Sequence, residues 1–217
     1  SKLKKGMGMD IKLSTEQNKA VTHISGPLCI LGAAGTGKTV VLAHKIAYLI
    51  KEKMVQADSI LIFGSKSSAS NSLRSIVKEI VGSEVENLFF ATLYSFCAEV
   101  LRDDGHLISL RKDFTIYTPP EQLRLLISVC SKKEKEDSYN VLSYIRQFKN
   151  NIKTFEGDKK EEKLFLGIMK KYQKKLKQYN SIDKDDLVCL CLELFKKKPE
   201  ILQKYQELYP YILVDEY

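Results

Sequence analysis

The chain has 217 residues, 44% of them hydrophobic and 29% charged, with a formal net charge of +8. That much apolar material excludes disorder as the dominant state, and the length allows one large domain or two small ones. The longest apolar runs, Leu28-Cys29-Ile30-Leu31 and Ile60-Leu61-Ile62-Phe63 among them, fall far short of the ~20 residues of a membrane span.

The opening Ser1-Lys2-Leu3-Lys4-Lys5 carries charge without an apolar stretch behind it, so no signal peptide is legible. Five scattered cysteines (Cys29, Cys97, Cys130, Cys189, Cys191) make no disulfide framework and predict reduced thiols in a cytoplasmic protein. The charge is uneven. Residues 111–180 hold 17 Lys and Arg against 9 Asp and Glu, whereas the flanks together hold 18 of each. The whole excess sits in one segment, which is either a surface for a polyanion or a solvated lysine-rich helical face.

In chain order, Leu13-Ser14-Thr15-Glu16-Gln17 is a helix start, with a hydroxyl cap, acid in the first turn and Ala20-Val21 on the buried side. Residues 27–31 (Pro-Leu-Cys-Ile-Leu) predict a short buried strand, then a Gly-rich turn and an apolar helix over residues 39–51. Ile60-Leu61-Ile62-Phe63 predicts a second strand, followed by a helix over 68–81. Residues 88–92 predict a third strand and 93–102 a helix; Tyr211-Ile212-Leu213-Val214 predicts a fourth strand. Apolar strands alternating with helices imply a parallel sheet covered on both faces.

Residues 111–180 differ. Helices are expected over 121–130, around Val141 to Lys149, and along Leu164, Phe165, Ile168, Met169, Tyr172, Leu176 and Tyr179, with no strand. The apolar stripe is expected to be packing core. Lys170, Lys171, Lys174, Lys175 and Lys177 form the candidate polyanion surface. The expected organisation is an α/β core over 1–110 and 181–217 with an all-helical insertion over 111–180.

Gly32-Ala33-Ala34-Gly35-Thr36-Gly37-Lys38-Thr39 matches G-x-x-x-x-G-K-[ST], the phosphate loop of nucleoside triphosphatases. Glycines let backbone N–H groups turn in around a phosphate, and the helix N-terminus adds donors and partial positive charge. Lys38 is the group expected to reach the β- and γ-phosphates of ATP, and the Thr39 hydroxyl to ligate Mg²⁺. Asp215 and Glu216 follow the last apolar strand, where ligands bind in open α/β sheets. Asp215 is expected to hold Mg²⁺, and Glu216 to polarise the attacking water as general base. His23, His44 and His106 share no metal-ligand spacing and are expected to be structural. Cys189-x-Cys191 lacks a second ligand pair, and Asp183, Asp185 and Asp186 fit helix capping better than a Ca²⁺ loop.

Together these residues resemble the UvrD/Rep/PcrA-type superfamily I DNA helicases. The opening motif Leu13 to Val21, the phosphate loop and Tyr211-Ile212-Leu213-Val214-Asp215-Glu216-Tyr217 carry the resemblance, which spans nearly the whole chain. It implies a P-loop NTPase of RecA-like architecture, with Gln17 hydrogen-bonding adenine. Ala91-Thr92-Leu93-Tyr94-Ser95-Phe96-Cys97 is similar to the family's single-stranded DNA segment, so Thr92, Tyr94 and Lys66 become candidate nucleic-acid contacts. Asn180-Ser181-Ile182-Asp183-Lys184-Asp185-Asp186-Leu187 resembles the re-entry from the inserted helical domain. Two departures stand out. Gly64-Ser65-Lys66-Ser67-Ser68-Ala69-Ser70 replaces the usual Thr-Phe-Thr-Asn-Lys-Ala-Ala, so Ser65 stands where a stacking aromatic is expected. Tyr94 stands where the family often has His; it either stacks on a base or packs at its helix start.

The expectation is the N-terminal part of an ATP-dependent DNA helicase, with a second RecA-like domain elsewhere in the full protein. A nucleotide-gated DNA-binding scaffold with little unwinding is the alternative. A small-molecule kinase would need neither the Gln17 opening nor the basic insertion.

Overall fold

The computed structural model describes residues 13–64, 68–131, 138–150 and 158–215. It divides into two compact units, one made of the chain up to Thr92 with the residues from Lys204 onward, the other of Leu93–Gln203.

In the first unit, α1 (Thr15–Thr22) opens on a capping box: the Gln17 N–H donates to the Ser14 hydroxyl, and the Ser14 N–H to the Gln17 side chain. The Lys45 ammonium donates to the Val21 carbonyl at 3.2 Å, tying the end of α1 to α2 (Lys38–Lys51). Strands β1 (Ile60–Phe63), β2 (Phe89–Ala91) and β5 (Tyr211–Val214) make a parallel sheet in the order β2-β1-β5. The register sets Leu61 beside both Phe89 and Ile212. Between β1 and β2 lies α3 (Ser68–Val81). Ile46, Leu49, Ile60, Ile62, Leu73 and Val77 meet in a core with almost no exposure. Helices therefore bury the central strand β1, while β2 and β5 on either side of it are only partly covered.

One expected strand is missing. Residues 27–31 have no regular secondary structure and are exposed, with Leu31 at 91%. Gly26 turns the chain with φ +80°, and Pro27 brings no N–H to a ladder. The outer edge of β5 is unpaired among the described residues, and Ile212 and Val214 stay exposed there.

The second unit contains α4 (Leu93–Asp104), β3 (Thr115–Ile116), α5 (Pro119–Val129), α6 (Ser138–Lys149), α7 (Lys159–Gln178), β4 (Ser181–Ile182) and α8 (Lys184–Lys197). The final helix α9 (Pro199–Leu208) leads to β5. The starts of α5, α7 and α8 are written in the sequence. At α5, Pro119 and Pro120 occupy the first turn, and the Thr118 N–H and hydroxyl donate to Glu121 at 2.7 and 2.6 Å. Asp158 caps α7 and Asp183 caps α8, each with an acid three residues on. Helices α5, α6 and α7 share a core of Leu126, Ile145, Phe165, Ile168, Tyr172 and Leu176. The apolar stripe of α7 is thus packing core, although Leu164 and Tyr179 lie outside it and are exposed.

The expectation of no strand in 111–180 is corrected. Thr115 and Ile116 pair in parallel with Ser181 and Ile182. Asn180, with φ +48°, turns the chain out of α7, and its side chain donates to Asp113 at 3.1 Å. Two residues per strand satisfy the backbone where the chain enters and leaves the three helices, a pairing too short to register as apolar periodicity.

Candidate functional site

The phosphate loop leads directly into α2. Gly37 is the N-cap, with φ +85°, in the left-handed region that glycine adopts without a Cβ clash. It provides no side-chain cap, so the first-turn N–H groups of α2 are left for an anion. Thr36 closes the turn below, its hydroxyl donating to the Ala33 carbonyl at 2.8 Å. A Cβ on Gly32 would stand 2.6 Å from that hydroxyl, so this position needs a residue without a side chain. The Lys38 ammonium donates to the Gly32 and Ala33 carbonyls at 2.7 and 2.8 Å, which holds it over the loop. Ala33, Ala34 and Gly35 are exposed along the loop, and Thr39 is half-buried in the first turn.

Gln17 belongs to this site by geometry. Its side-chain N–H donates to the Thr36 carbonyl at 3.2 Å, and a Cβ on Gly37 would come 3.3 Å from the same nitrogen. One amide therefore serves two purposes: its oxygen completes the cap of α1, and its nitrogen braces the loop.

At the carboxyl edge of the sheet, the Asp215 N–H donates to Phe63 at 2.8 Å and the Gly64 N–H to Ala91 at 3.1 Å. Gly64, half-buried Thr92 and buried Asp215 thus follow β1, β2 and β5 at one edge. The hydroxyl of Thr39, in the first turn of α2, and the buried carboxylate of Asp215 are hard oxygen donors, of the kind that fits Mg²⁺ and not a soft metal. Glu216, Ser65 and Lys66 lie outside the described residues.

In the second unit, Tyr94 is 43% exposed on the first turn of α4. The Lys184 ammonium lies 5.9 Å from its ring centroid. On α7, Lys170, Lys171, Lys174 and Lys177 are exposed, whereas Lys175 is half-buried with its ammonium 5.4 Å from the Tyr179 ring.

Sequence reasoning missed a buried charge cluster. The Lys149 ammonium, at the end of α6, meets Asp183 at 2.6 Å and Asp186 at 2.8 Å, with all three side chains almost fully buried. The Tyr172 hydroxyl donates to Asp183 at 3.1 Å and Gln173 to Asp186 at 2.9 Å. Burial pushes the Asp186 carboxyl up, against the pull of Lys149, and burial together with Asp183 pushes the Tyr172 phenol up. Asp183 was legible as a cap; its ion pair with a lysine 34 positions earlier had no local signal. No group of three His, Cys, Asp or Glu residues placed to hold a metal occurs among the described residues.

The family described as the UvrD/REP helicase N-terminal domain matches residues 13–217. The chain is 35% identical over 215 residues to an ATP-dependent DNA helicase PcrA of Staphylococcus epidermidis, covering 94% of this chain and 29% of that protein. Against an ATP-dependent DNA helicase PcrA of Staphylococcus aureus the identity is 34%, with the same coverage of each. The chain therefore spans less than a third of the length of these relatives. With the matched region running from the capped Ser14–Gln17 turn through the phosphate loop to Asp215, the chain belongs to the UvrD/Rep helicase family.

Proposed function

We propose that the chain is the N-terminal ATP-binding part of an ATP-dependent DNA helicase, coupling ATP hydrolysis to movement along single-stranded DNA and to duplex unwinding. The observation that carries this is the phosphate loop of residues 32–39, opening α2 without a side-chain cap and braced by Gln17. Loop N–H groups and the α2 terminus receive the phosphates, and Lys38 leaves the Gly32 and Ala33 carbonyls for phosphate oxygens. Thr39 and Asp215 hold Mg²⁺, which when bound neutralises charge on those oxygens. Glu216 polarises the water. An arginine from a second RecA-like domain then completes the charge stabilisation; such a group is worth ~10³–10⁵ in rate, so the isolated chain is a poor ATPase.

DNA runs past Thr92, Tyr94 and Lys66, and the lysine face of α7 meets backbone phosphate. Residues 111–180 act as an inserted subdomain, a reading supported by the β3-β4 pairing that brings its entry and exit together. The relatives' names and the reduced thiols favour the cytoplasm, where chromosomal DNA is found in bacteria.

Binding of a fluorescent ATP analogue with Mg²⁺ tests the site. Lys38→Ala removes a charge-assisted hydrogen-bond donor and should weaken binding roughly ten- to hundredfold. Unchanged affinity would overturn the assignment of the loop. The alternative, a nucleotide-gated scaffold, is suggested by Ser65 standing where the family has an aromatic. ATPase assays of the full-length protein separate the two. Stimulation by single-stranded DNA at low salt supports the helicase; its absence supports the scaffold.

A further inference from the structure

Helices α4 and α8 pack along one another in the second unit, and each carries a buried cysteine. Cys97 lies in the second turn of α4 and Cys191 two turns into α8; both are 3% exposed. The two thiols hydrogen-bond to each other. Cys191 holds the Cys97 thiol below its usual range, while Cys97 and burial push the Cys191 thiol up. Of the two sulfurs, Cys97 is the one held lower.

The other cysteines are committed elsewhere. Cys189 is two positions from Cys191, so it faces another side of α8, and its thiol donates to the Lys149 carbonyl at 3.5 Å. Burial and the neighbouring carboxylates push Cys189 up, which makes it a poor nucleophile. Cys130 is packed in the α5–α7 core, and Cys29 belongs to the first unit.

We propose that Cys97 and Cys191 form an oxidisable dithiol, a modification site where a peroxide converts the pair into a disulfide bolting α4 to α8. The Cys97 thiolate attacks one oxygen of hydrogen peroxide. A sulfur–oxygen bond forms, the O–O bond breaks, and the departing hydroxide takes a proton to become water. Cys97 is now a sulfenic acid, oxidised by two electrons. Cys191 then attacks that sulfur: the S–S bond forms, the S–O bond breaks, and the hydroxide leaves as water with the proton of Cys191. Two thiols and one peroxide give one disulfide and two waters. The sulfurs must close to ~2.05 Å, a short step from hydrogen-bond contact. Peroxide, little larger than water, reaches the pair when the helices open locally, so the reaction is slow beside that of exposed Cys29.

The inference is independent of the helicase reading, and its test uses neither nucleotide nor DNA. The full chain at low micromolar concentration is incubated with hydrogen peroxide. Remaining thiols are then blocked with N-ethylmaleimide under denaturing conditions, and monomer is digested and mapped by mass spectrometry. The expected product is a peptide pair joining Cys97 to Cys191, lost on dithiothreitol treatment. Closing so long a loop should also raise the melting midpoint of the oxidised monomer above the reduced one. Cys191→Ser should yield no internal link to Cys97; should that variant not fold, the wild-type map still decides. Recovery of both cysteines in blocked form, or Cys97 joined to any other cysteine, would overturn the proposal. So would a link that arises only after unfolding in urea.

Discussion

Gln17 and His44 illustrate two parts that single residues play in the first unit, one in positioning the phosphate loop and one in stability. Gln17, the residue expected to reach a base, has an amide that spans the cap of α1 and the Thr36 carbonyl, so loop position and helix start are linked by one side chain. His44 lies on the same helix as Lys38, is 2% exposed, and has no hydrogen-bond partner at either ring nitrogen. Burial lowers its pKa from 6.5. The unfolded chain therefore binds a proton more readily than the folded one, and the sign follows: stability is present above pH 6.5 and declines as the pH falls below it. Urea denaturation at a series of pH values should show the midpoint falling below pH 6.5, with a shallower fall in His44→Phe. An identical slope in both proteins would locate the titration elsewhere. The phosphate-loop residues were legible because their chemistry is local in sequence. The bracing by Gln17 was not, because it is a contact over 19 positions.

At the scale of elements, the helix starts were the most legible features. Ser14, Pro119-Pro120 and Asp183 announce α1, α5 and α8 through capping chemistry that needs only neighbouring residues. What joins α6, α7 and α8 is the Lys149 cluster, assembled from three separate stretches of chain. A buried ion pair of this kind need not stabilise relative to an apolar core, but breaking it on one side leaves uncompensated charge. Lys149→Met should thus cost ~3–5 kcal/mol in chemical denaturation, since two carboxylates remain buried without their cation. Adding Asp183→Asn and Asp186→Asn to that variant should recover part of the loss. A single variant as stable as the parent would mean that water reaches the site. The two-residue strands β3 and β4 escaped notice for the opposite reason: they carry no period long enough to see.

Across the whole molecule, the parallel sheet with covering helices followed from apolar strands alternating with helices, and the observed order β2-β1-β5 agrees. The strand expected at residues 27–31 did not form, because a strand is a property of a pair and its sequence describes only one partner. That outcome bears on handling the isolated chain. Among the described residues the outer edge of β5 has no strand partner beside exposed Ile212 and Val214, and Leu28 and Leu31 add apolar surface in the same unit. Nothing charged lies within β5 itself, and charge is what commonly keeps such edges from pairing with copies of themselves. Light scattering should report an apparent mass that climbs with protein concentration, and Ile212→Lys should hold it near the monomer value. A mass constant with concentration would show the edge to be protected. The stretch that makes this chain a readable member of its family is also its principal solubility hazard.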